Sequence, residues 1–281
     1  MSPILNHEPV IRLGVYLGLL GVLMLAEAVW PRRSQSLGRW RRWPANLGMA
    51  ALNALVVRLL APGAVIGAAL WAEATGFGLF NLLPLPGWLA VAGSVLLLDL
   101  TIYAQHVAFH RIAPLWRLHR MHHADTEIDV TTGARFHPFE ILLSVAIKAA
   151  AVILLGAPAV AVLLFEVLLN ATSMFNHANL ALPAGLDRWL RRLLVTPDMH
   201  RVHHSWHRDE TDSNYGFNLP WWDRLFGTYR PQPRDGHPGM TIGLADFRSP
   251  GDQRLDRMLL QPLRPSPAAD GRAGDSAAPV V

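Results

Sequence analysis

The sequence contains no cysteine among its 281 residues, and all but one of its 25 basic residues are arginine. The absence of cysteine excludes a disulfide-stabilised scaffold, a thiolate zinc site, a cysteine-ligated iron–sulfur cluster and a thiolate-bound haem. Charged residues are also scarce, at 16% of the chain, against about 25% in ordinary soluble domains. This composition excludes a disordered protein, because too few polar groups are present to solvate one.

Hydrophobic residues make up 51% of the chain and gather in four long apolar segments. These segments are residues 13–30, 45–71, 85–104 and 141–169. About 20 apolar residues cross a bilayer as a helix, and the first three segments have that length. The fourth is interrupted at Gly156-Ala157-Pro158, which leaves two alternatives, a hairpin of two spans or a re-entrant pair. We therefore predict an all-α fold, a polytopic bundle of membrane helices.

The arginines predict the orientation of this bundle. Residues 31–43 carry five arginines, whereas residues 73–84 carry none. The positive-inside rule places the first of these loops in the cytoplasm, and counting the spans then places residues 106–138 and 176–281 on the same side. We therefore expect an inner (cytoplasmic) membrane protein, and we attribute its net charge of +4 to this pattern. No nucleic acid partner is expected.

The most informative residues are the 13 histidines, of which nine have the spacing of metal ligands. His-x3-His occurs once and His-x2-His-His occurs twice, and one more histidine lies between the two repeats. The nine are His106, His110, His119, His122, His123, His177, His200, His203 and His204. Residues three and four apart share one face of a helix, and imidazole binds iron, zinc, copper and nickel. Nine ligands exceed what one ion takes, so we predict two metal ions in a helical, histidine-rich cap.

The four remaining histidines carry weaker signals. His7, His207 and His237 lie outside the repeated spacing and are interpreted as bystanders. His137, in Arg-Phe-His-Pro, is left open as a ligand or as a residue that organises the site.

Longer blocks around the histidines resemble a known family. LWRLHRMHHADTEIDVTTGARFHPFE (residues 115–140), TPDMHRVHHS (residues 196–205) and NYG followed by WDRLFGTY resemble the central and C-terminal blocks of the membrane-bound fatty acid hydroxylase/sterol desaturase superfamily. The resemblance covers roughly residues 85–230. It implies a non-haem di-iron oxygenase with O2 as co-substrate, in which the nine histidines hold two Fe ions.

This resemblance divides the chain into three parts. We expect N-terminal membrane spans in residues 1–84 and a catalytic domain in residues 85–230. After residue 230 the chain is rich in proline, glycine and arginine, so we predict a C-terminal loop and a disordered tail in residues 231–281.

The predicted function is hydroxylation or desaturation of a lipid, either a sterol, a fatty acyl chain or a related molecule. The chain carries no electron carrier of its own, so we expect a separate ferredoxin-, flavodoxin- or cytochrome b5-like donor with its reductase. Four carboxylates are candidate catalytic residues that orient the ligand histidines, namely Asp99, Asp125, Glu140 and Asp198. The sequence leaves open whether the product is an alcohol or an alkene. The alternatives are a histidine-rich membrane protein that binds or transports metal and a structural zinc protein.

Overall fold

A computed structural model describes residues 7–265, and over that range the chain forms helices and loops without a β-strand. The helices are α1 Glu8–Val29, α2 Arg39–Leu60, α3 Ala64–Thr75, α4 Leu79–Leu82, α5 Gly87–Arg111, α6 Ala113–His123, α7 Pro138–Leu155, α8 Ala159–His177, α9 Ala184–Leu190, α10 Pro197–His203, α11 Arg208–Thr211, α12 Trp221–Leu225, α13 Gly236–Gly239 and α14 Leu255–Leu260. Short 3-10 helices cover Val130–Ala134, Pro250–Gln253 and Gln261–Leu263. The predicted all-α fold is confirmed, and the predicted tail lies, from residue 266 onward, outside the described residues.

Five helical segments have the length and composition needed to cross a membrane, which confirms the polytopic bundle. They are Glu8–Val29, Arg39–Leu82, Gly87–Arg111, Pro138–Leu155 and Ala159–His177. The fourth apolar segment of the sequence becomes α7 and α8, with 18 and 19 residues. At about 1.5 Å per residue each helix is about 27–29 Å long, close to the hydrocarbon thickness of about 30 Å. Helix length therefore favours a hairpin of two spans.

The spans pack through a main apolar core and two smaller apolar clusters that involve α1 and α2. Helix α3 lies against α7, α1 against α8, and α5 against both α7 and α8. Leu98 and Ile102 of α5 meet Val162 and Phe165 of α8 in the centre of this core. Leucine and valine side chains of α1 point outward and remain exposed, as expected for a surface that faces lipid.

A cap covers one end of the bundle, where α1, α5 and α8 end and α2 and α7 begin. It contains α6, the 3-10 helix Val130–Ala134 and the chain that follows His177. Glu27, near the end of α1, accepts hydrogen bonds from the backbone N–H groups of Val130 (2.7 Å) and Asn179 (2.6 Å). This buried carboxylate therefore ties the first span to two segments of the cap.

The arginine-rich loop after α1 lies at the same end as the cap. Arg32 pairs with Asp198 (3.0 Å), and Arg33 donates to the backbone carbonyl of Met240 (2.6 Å). Arg42 pairs with Asp125 (2.7 Å). Three of the five arginines thus hold the cap, in addition to any role in orientation. The loop and the histidines share one side of the bundle, and its assignment to the cytoplasm stays a prediction.

The chain after residue 230 is more ordered than its composition indicates. Helix α14 places Met258 in a buried apolar cluster with Ala45, Met49 and Met121. Residues up to 265 therefore belong to the cap, where the sequence predicted a loop, because one short apolar helix suffices to anchor them to α2.

Candidate metal centre

The nine candidate ligands come from α5, α6, α8, α10 and the residue after α10, and the cap brings all of them together. Each is at most 3% exposed. They form two groups, and within each group the candidate ligand nitrogens lie within 4.8 Å of one another. The first histidine group is His106, His110, His119, His123 and His203, and the second histidine group is His122, His177, His200 and His204.

The helical spacing decides which group each histidine joins. His119 and His123 belong to the first group, whereas His122, between them in sequence, belongs to the second. In α10 the arrangement is inverted, because His200 and His204 join the second group and His203 joins the first. Neighbouring helical residues point about 100° apart at 3.6 residues per turn. The boxes at residues 119–123 and 200–204 therefore each serve both groups, whereas both histidines of the first box, His106 and His110, join the first group.

Hydrogen bonds fix the orientation of most of these imidazoles through Nδ1. The acceptors are four backbone carbonyls and two carboxylates. They pair as His106 with the carbonyl of Tyr215 (2.7 Å), His122 with that of Arg135 (3.2 Å), His177 with that of Ser173 (2.6 Å), His203 with that of Ser213 (2.7 Å), His119 with Glu140 (2.7 Å) and His110 with Asp212 (3.2 Å). A carbonyl or carboxylate requires a proton on Nδ1, which leaves Nε2 of a neutral ring as a lone-pair donor.

The Nε2 lone pairs of neighbouring imidazoles face one another. Their separation shows whether a metal ion would fit between them. The Nε2 atoms of His106 and His119 are 3.1 Å apart, and those of His122 and His177 are also 3.1 Å apart. Two neutral Nε2 acceptors cannot hydrogen-bond to each other, so the contact is repulsive unless a cation binds both. Two ligands at about 2.1 Å from one ion are separated by about 3.0–3.4 Å for angles between 90° and 109°. The donor set therefore fits a metal ion in each group.

The pKa values of the histidines also favour metal binding. Burial, followed by the neighbouring imidazoles, holds the pKa values of His122, His123, His200 and His204 well below 6.5. These rings are consequently neutral at physiological pH and offer lone pairs. Buried nitrogens without a hydrogen-bond partner also remain in both groups, including Nε2 of His110 and of His204.

The candidate carboxylates differ in what they contact. Glu140, at the start of α7, hydrogen-bonds to the candidate ligand His119. Asp99 instead accepts from Asn218 and Trp222, both at 2.8 Å. Of the four candidate carboxylates, Glu140 is thus the one that contacts a candidate ligand in the described part of the chain, and a catalytic role for the four stays a prediction.

The other two carboxylates form ion pairs with arginines of the loop after α1, of α2 and of α10. Asp198 pairs with Arg32 and Arg201. Asp125 pairs with Arg42, and although burial raises its pKa, Arg42 and Arg135 outweigh burial and lower it to about 2. Both residues are thus charged groups that hold the cap together.

One carboxylate at the site escaped the sequence reasoning. Asp212 follows α11 and lies 102 residues from His110 in sequence, yet their side chains meet at 3.2 Å. Its only sequence signal is its place two residues before the Asn214-Tyr-Gly motif.

The remaining histidines lie outside both groups. His137 caps α7, where its Nδ1 accepts from the backbone N–H of Phe139 (3.3 Å) and its Nε2 donates to the carbonyl of Leu259 (3.3 Å). This position organises the start of the helix that carries Glu140. His207 pairs with Asp235.

Replacement of Glu140 by glutamine is expected to weaken metal binding in the first histidine group by about tenfold to a hundredfold. The amide keeps the size of the carboxylate but removes the charge that makes His119 a stronger ligand. Metal affinity measured by competition with a chelator checks this. The matched control is Glu127→Gln, because Glu127 is a buried cap carboxylate that accepts from Ser36. Equal affinities in both variants would contradict the role of Glu140.

Fold and site together define a membrane protein with a buried centre of nine histidines. The model of the fatty acid hydroxylase family matches residues 91–228. An ornithine lipid hydroxylase from Rhizobium tropici is 34% identical over 133 residues, which are 47% of this chain and 39% of that protein. An alkylglycerol monooxygenase from Xenopus tropicalis is 27% identical over 217 residues, 74% of this chain and 46% of that protein. A very-long-chain aldehyde decarbonylase from Oryza sativa subsp. indica is 28% identical over 201 residues, 68% of this chain and 29% of that protein.

Residues 91–228 match the fatty acid hydroxylase family, and these relatives support membership of the membrane fatty acid hydroxylase/sterol desaturase superfamily. The chain spans less than half the length of each of these three relatives. No solved structure matches it.

Proposed function

We propose that the protein is a di-iron lipid hydroxylase that inserts one oxygen atom from O2 into a C–H bond of a membrane lipid. The observation that supports this most directly is the pair of histidine groups, which are buried and all-nitrogen and lie where the spans α5 and α8 end. The relatives named as a lipid hydroxylase and a monooxygenase favour hydroxylation over desaturation.

An unactivated C–H bond has no acidity, so side-chain acids and bases alone cannot attack it. The chemistry that two bound iron ions supply is the activation of O2 to an oxidant strong enough to remove a hydrogen atom. The chain contributes neutral ligands and excludes water from them, since each of the nine histidines is at most 3% exposed. Glu140 and Asp212 hold the Nδ1 protons of His119 and His110, and thereby keep both Nε2 atoms directed at the first histidine group.

The reaction needs electrons that neither the lipid nor the chain provides. One oxygen atom enters the product, and the other leaves as water after taking up two electrons and two protons. We propose that a separate ferredoxin-, flavodoxin- or cytochrome b5-like carrier delivers these electrons to the cap. We propose further that the cap faces the cytoplasm and that the membrane is the inner membrane.

Metal transport is a weaker explanation of the same histidines. A transporter requires ligands along a path through the bilayer, whereas the nine histidines lie together at one end of the bundle. Within the described residues, the first three helices α1, α2 and α3 carry no histidine.

The test is comparative lipid mass spectrometry of cells with and without the full chain, grown under isotope-labelled O2. We expect a lipid that gains one oxygen atom, carries the label and disappears when iron is withheld. A lipid that loses two hydrogens without gaining oxygen would show desaturation. Metal uptake by proteoliposomes without O2 consumption would overturn the proposal in favour of transport.

A further inference from the structure

The chain between α11 and α12 enters the end of the membrane bundle and is held there by polar side chains of two spans. Asp99 of α5 accepts from the side chain of Asn218 (2.8 Å) and the indole of Trp222 (2.8 Å). From α8, Thr172 donates to the side chain of Asn218, and Asn176 donates to the backbone carbonyl of Phe217 (3.1 Å). Because ionisable residues in membrane spans are costly, this arrangement indicates that the position of the segment matters.

The side chain that these contacts position is Phe217. Its ring lies 4.9 Å from the ring of His106, in the first histidine group, and 5.9 Å from the ring of His200, in the second. It also packs in the apolar core with Leu98 and Ile102 of α5. Phe217 therefore joins the membrane core to both histidine groups.

A second phenylalanine has the same relation to both groups. Phe136 stacks on His122 of the second group at 4.4 Å and lies 6.2 Å from His119 of the first. It packs against the same apolar core as Phe217. By contrast Trp116, which contacts His110 and His123, belongs to a cluster in the cap with Leu244 and Phe247. Phe136 and Phe217 thus each connect the apolar core of the spans to both histidine groups.

We propose that Phe217, assisted by Phe136, is the end of the binding path for the apolar chain of the substrate lipid and determines which carbon is presented for hydroxylation. The substrate chain approaches the histidines on the apolar side where Phe217 and Phe136 lie, and its reacting carbon rests beside the Phe217 ring. Asp99 acts as a positioning residue, because it holds the segment that carries Phe217. This inference rests on the proposed function.

Polar groups on the other sides of the histidines support this direction of approach. The carbonyls of Tyr215, Arg135 and Ser213 bind ring nitrogens there, as do the carboxylates of Glu140 and Asp212. An apolar chain in that direction would remove hydrogen-bond partners from buried groups without replacing them, which costs about 1–3 kcal/mol per group. The rings of Phe136 and Phe217 carry no hydrogen-bonding group, so contact of an apolar chain with these rings does not carry this cost.

The first experiment changes the size of this side chain in the full protein. We expect Phe217→Ala to change the ratio of positional isomers of the hydroxylated lipid by about tenfold, since one methylene in an apolar pocket discriminates by about 10–200-fold. The control is Phe247→Ala, which makes the same deletion in the buried cap cluster and is expected to leave the isomer ratio unchanged. If Phe217→Ala does not fold, Phe217→Leu replaces it. An unchanged isomer ratio in a variant that turns over would overturn the proposal.

The second experiment does not depend on turnover. A photoreactive benzoylphenylalanine at position 217, in membranes kept free of O2 and reductant, is expected to cross-link lipid acyl chains. The same probe at position 247, buried in the cap cluster, is expected not to do so. Absence of lipid cross-links at 217 would refute the binding path. Cross-links at 217 in a protein that hydroxylates no lipid would refute the proposed function and leave the binding path in place.

Discussion

His203→Ala and His200→Ala are each expected to lower the metal content from two ions to about one per chain and to reduce hydroxylation by about three orders of magnitude or more. The two residues lie three positions apart on α10, and both are fully buried. They nevertheless serve different groups, His203 the first and His200 the second. Elemental analysis of the purified full chain and the yield of labelled lipid product check this result.

The double variant tests whether the chain has two metal sites or one shared site. Metal loss is expected to be additive, so the double variant holds almost no metal, whereas each single variant is already inactive because the reaction needs both ions. The control is His207→Ala, since His207 pairs with Asp235 outside both groups, and it is expected to keep both ions. Loss of all metal from either single variant would indicate one shared site and contradict the two-group assignment.

The spacing of the histidines predicted that their side chains come together in a candidate metal centre, because residues three and four apart share a side of a helix regardless of the rest of the fold. It did not predict how the ligands divide. His106 and His203 belong to one group although 97 positions separate them, and that partnership depends on how α10 docks on α5. A local pattern thus gives the number of ligands, and tertiary packing distributes them.

The carboxylates also have partners that depend on tertiary packing and that the local sequence does not predict. Asp125 follows His123 by two positions, yet its side chain turns to Arg42. Asp212, far away in sequence, reaches His110. Nearness along the chain does not identify these carboxylates, because tertiary packing brings Glu140 to His119 and Asp212 to His110 from outside the helices that carry the two histidines.

Hydrophobic patterning predicted the spans well because each apolar segment has a bilayer's length, whatever its neighbours. For the arginines of residues 31–43, the sequence predicted only one of their two roles. Arg32, Arg33 and Arg42 were predicted as orientation signals, whereas in the structure they also hold Asp198, the carbonyl of Met240 and Asp125. Charge counts do not reveal such pairs, since each partner lies more than eighty residues away.

Arg42→Ala is expected to destabilise the protein by about 3–5 kcal/mol, as is typical when one partner of a buried ion pair is removed. The Arg42 guanidinium is fully buried and donates to both oxygens of Asp125 (2.7 Å each) and to Asp129 (2.6 Å). Its loss leaves two carboxylates buried without their main cation. Asp129 caps the 3-10 helix Val130–Ala134, and Asp125 follows the second histidine box, so metal content is expected to fall as well.

Thermal unfolding in detergent, with and without added iron, measures the effect of Arg42→Ala, and the neighbouring Arg41→Ala is the matched control. Arg41 is exposed, so its removal is expected to change stability by less than about 0.5 kcal/mol. Adding Asp125→Asn to Arg42→Ala should cost less than the sum of the two single changes, because the amide no longer leaves a buried charge unpaired. Strict additivity, or equal stability of Arg42→Ala and Arg41→Ala, would show that the ion pair does not hold the cap. The expected coupling instead makes Arg42, in the first turns of α2, part of the framework that positions the histidines.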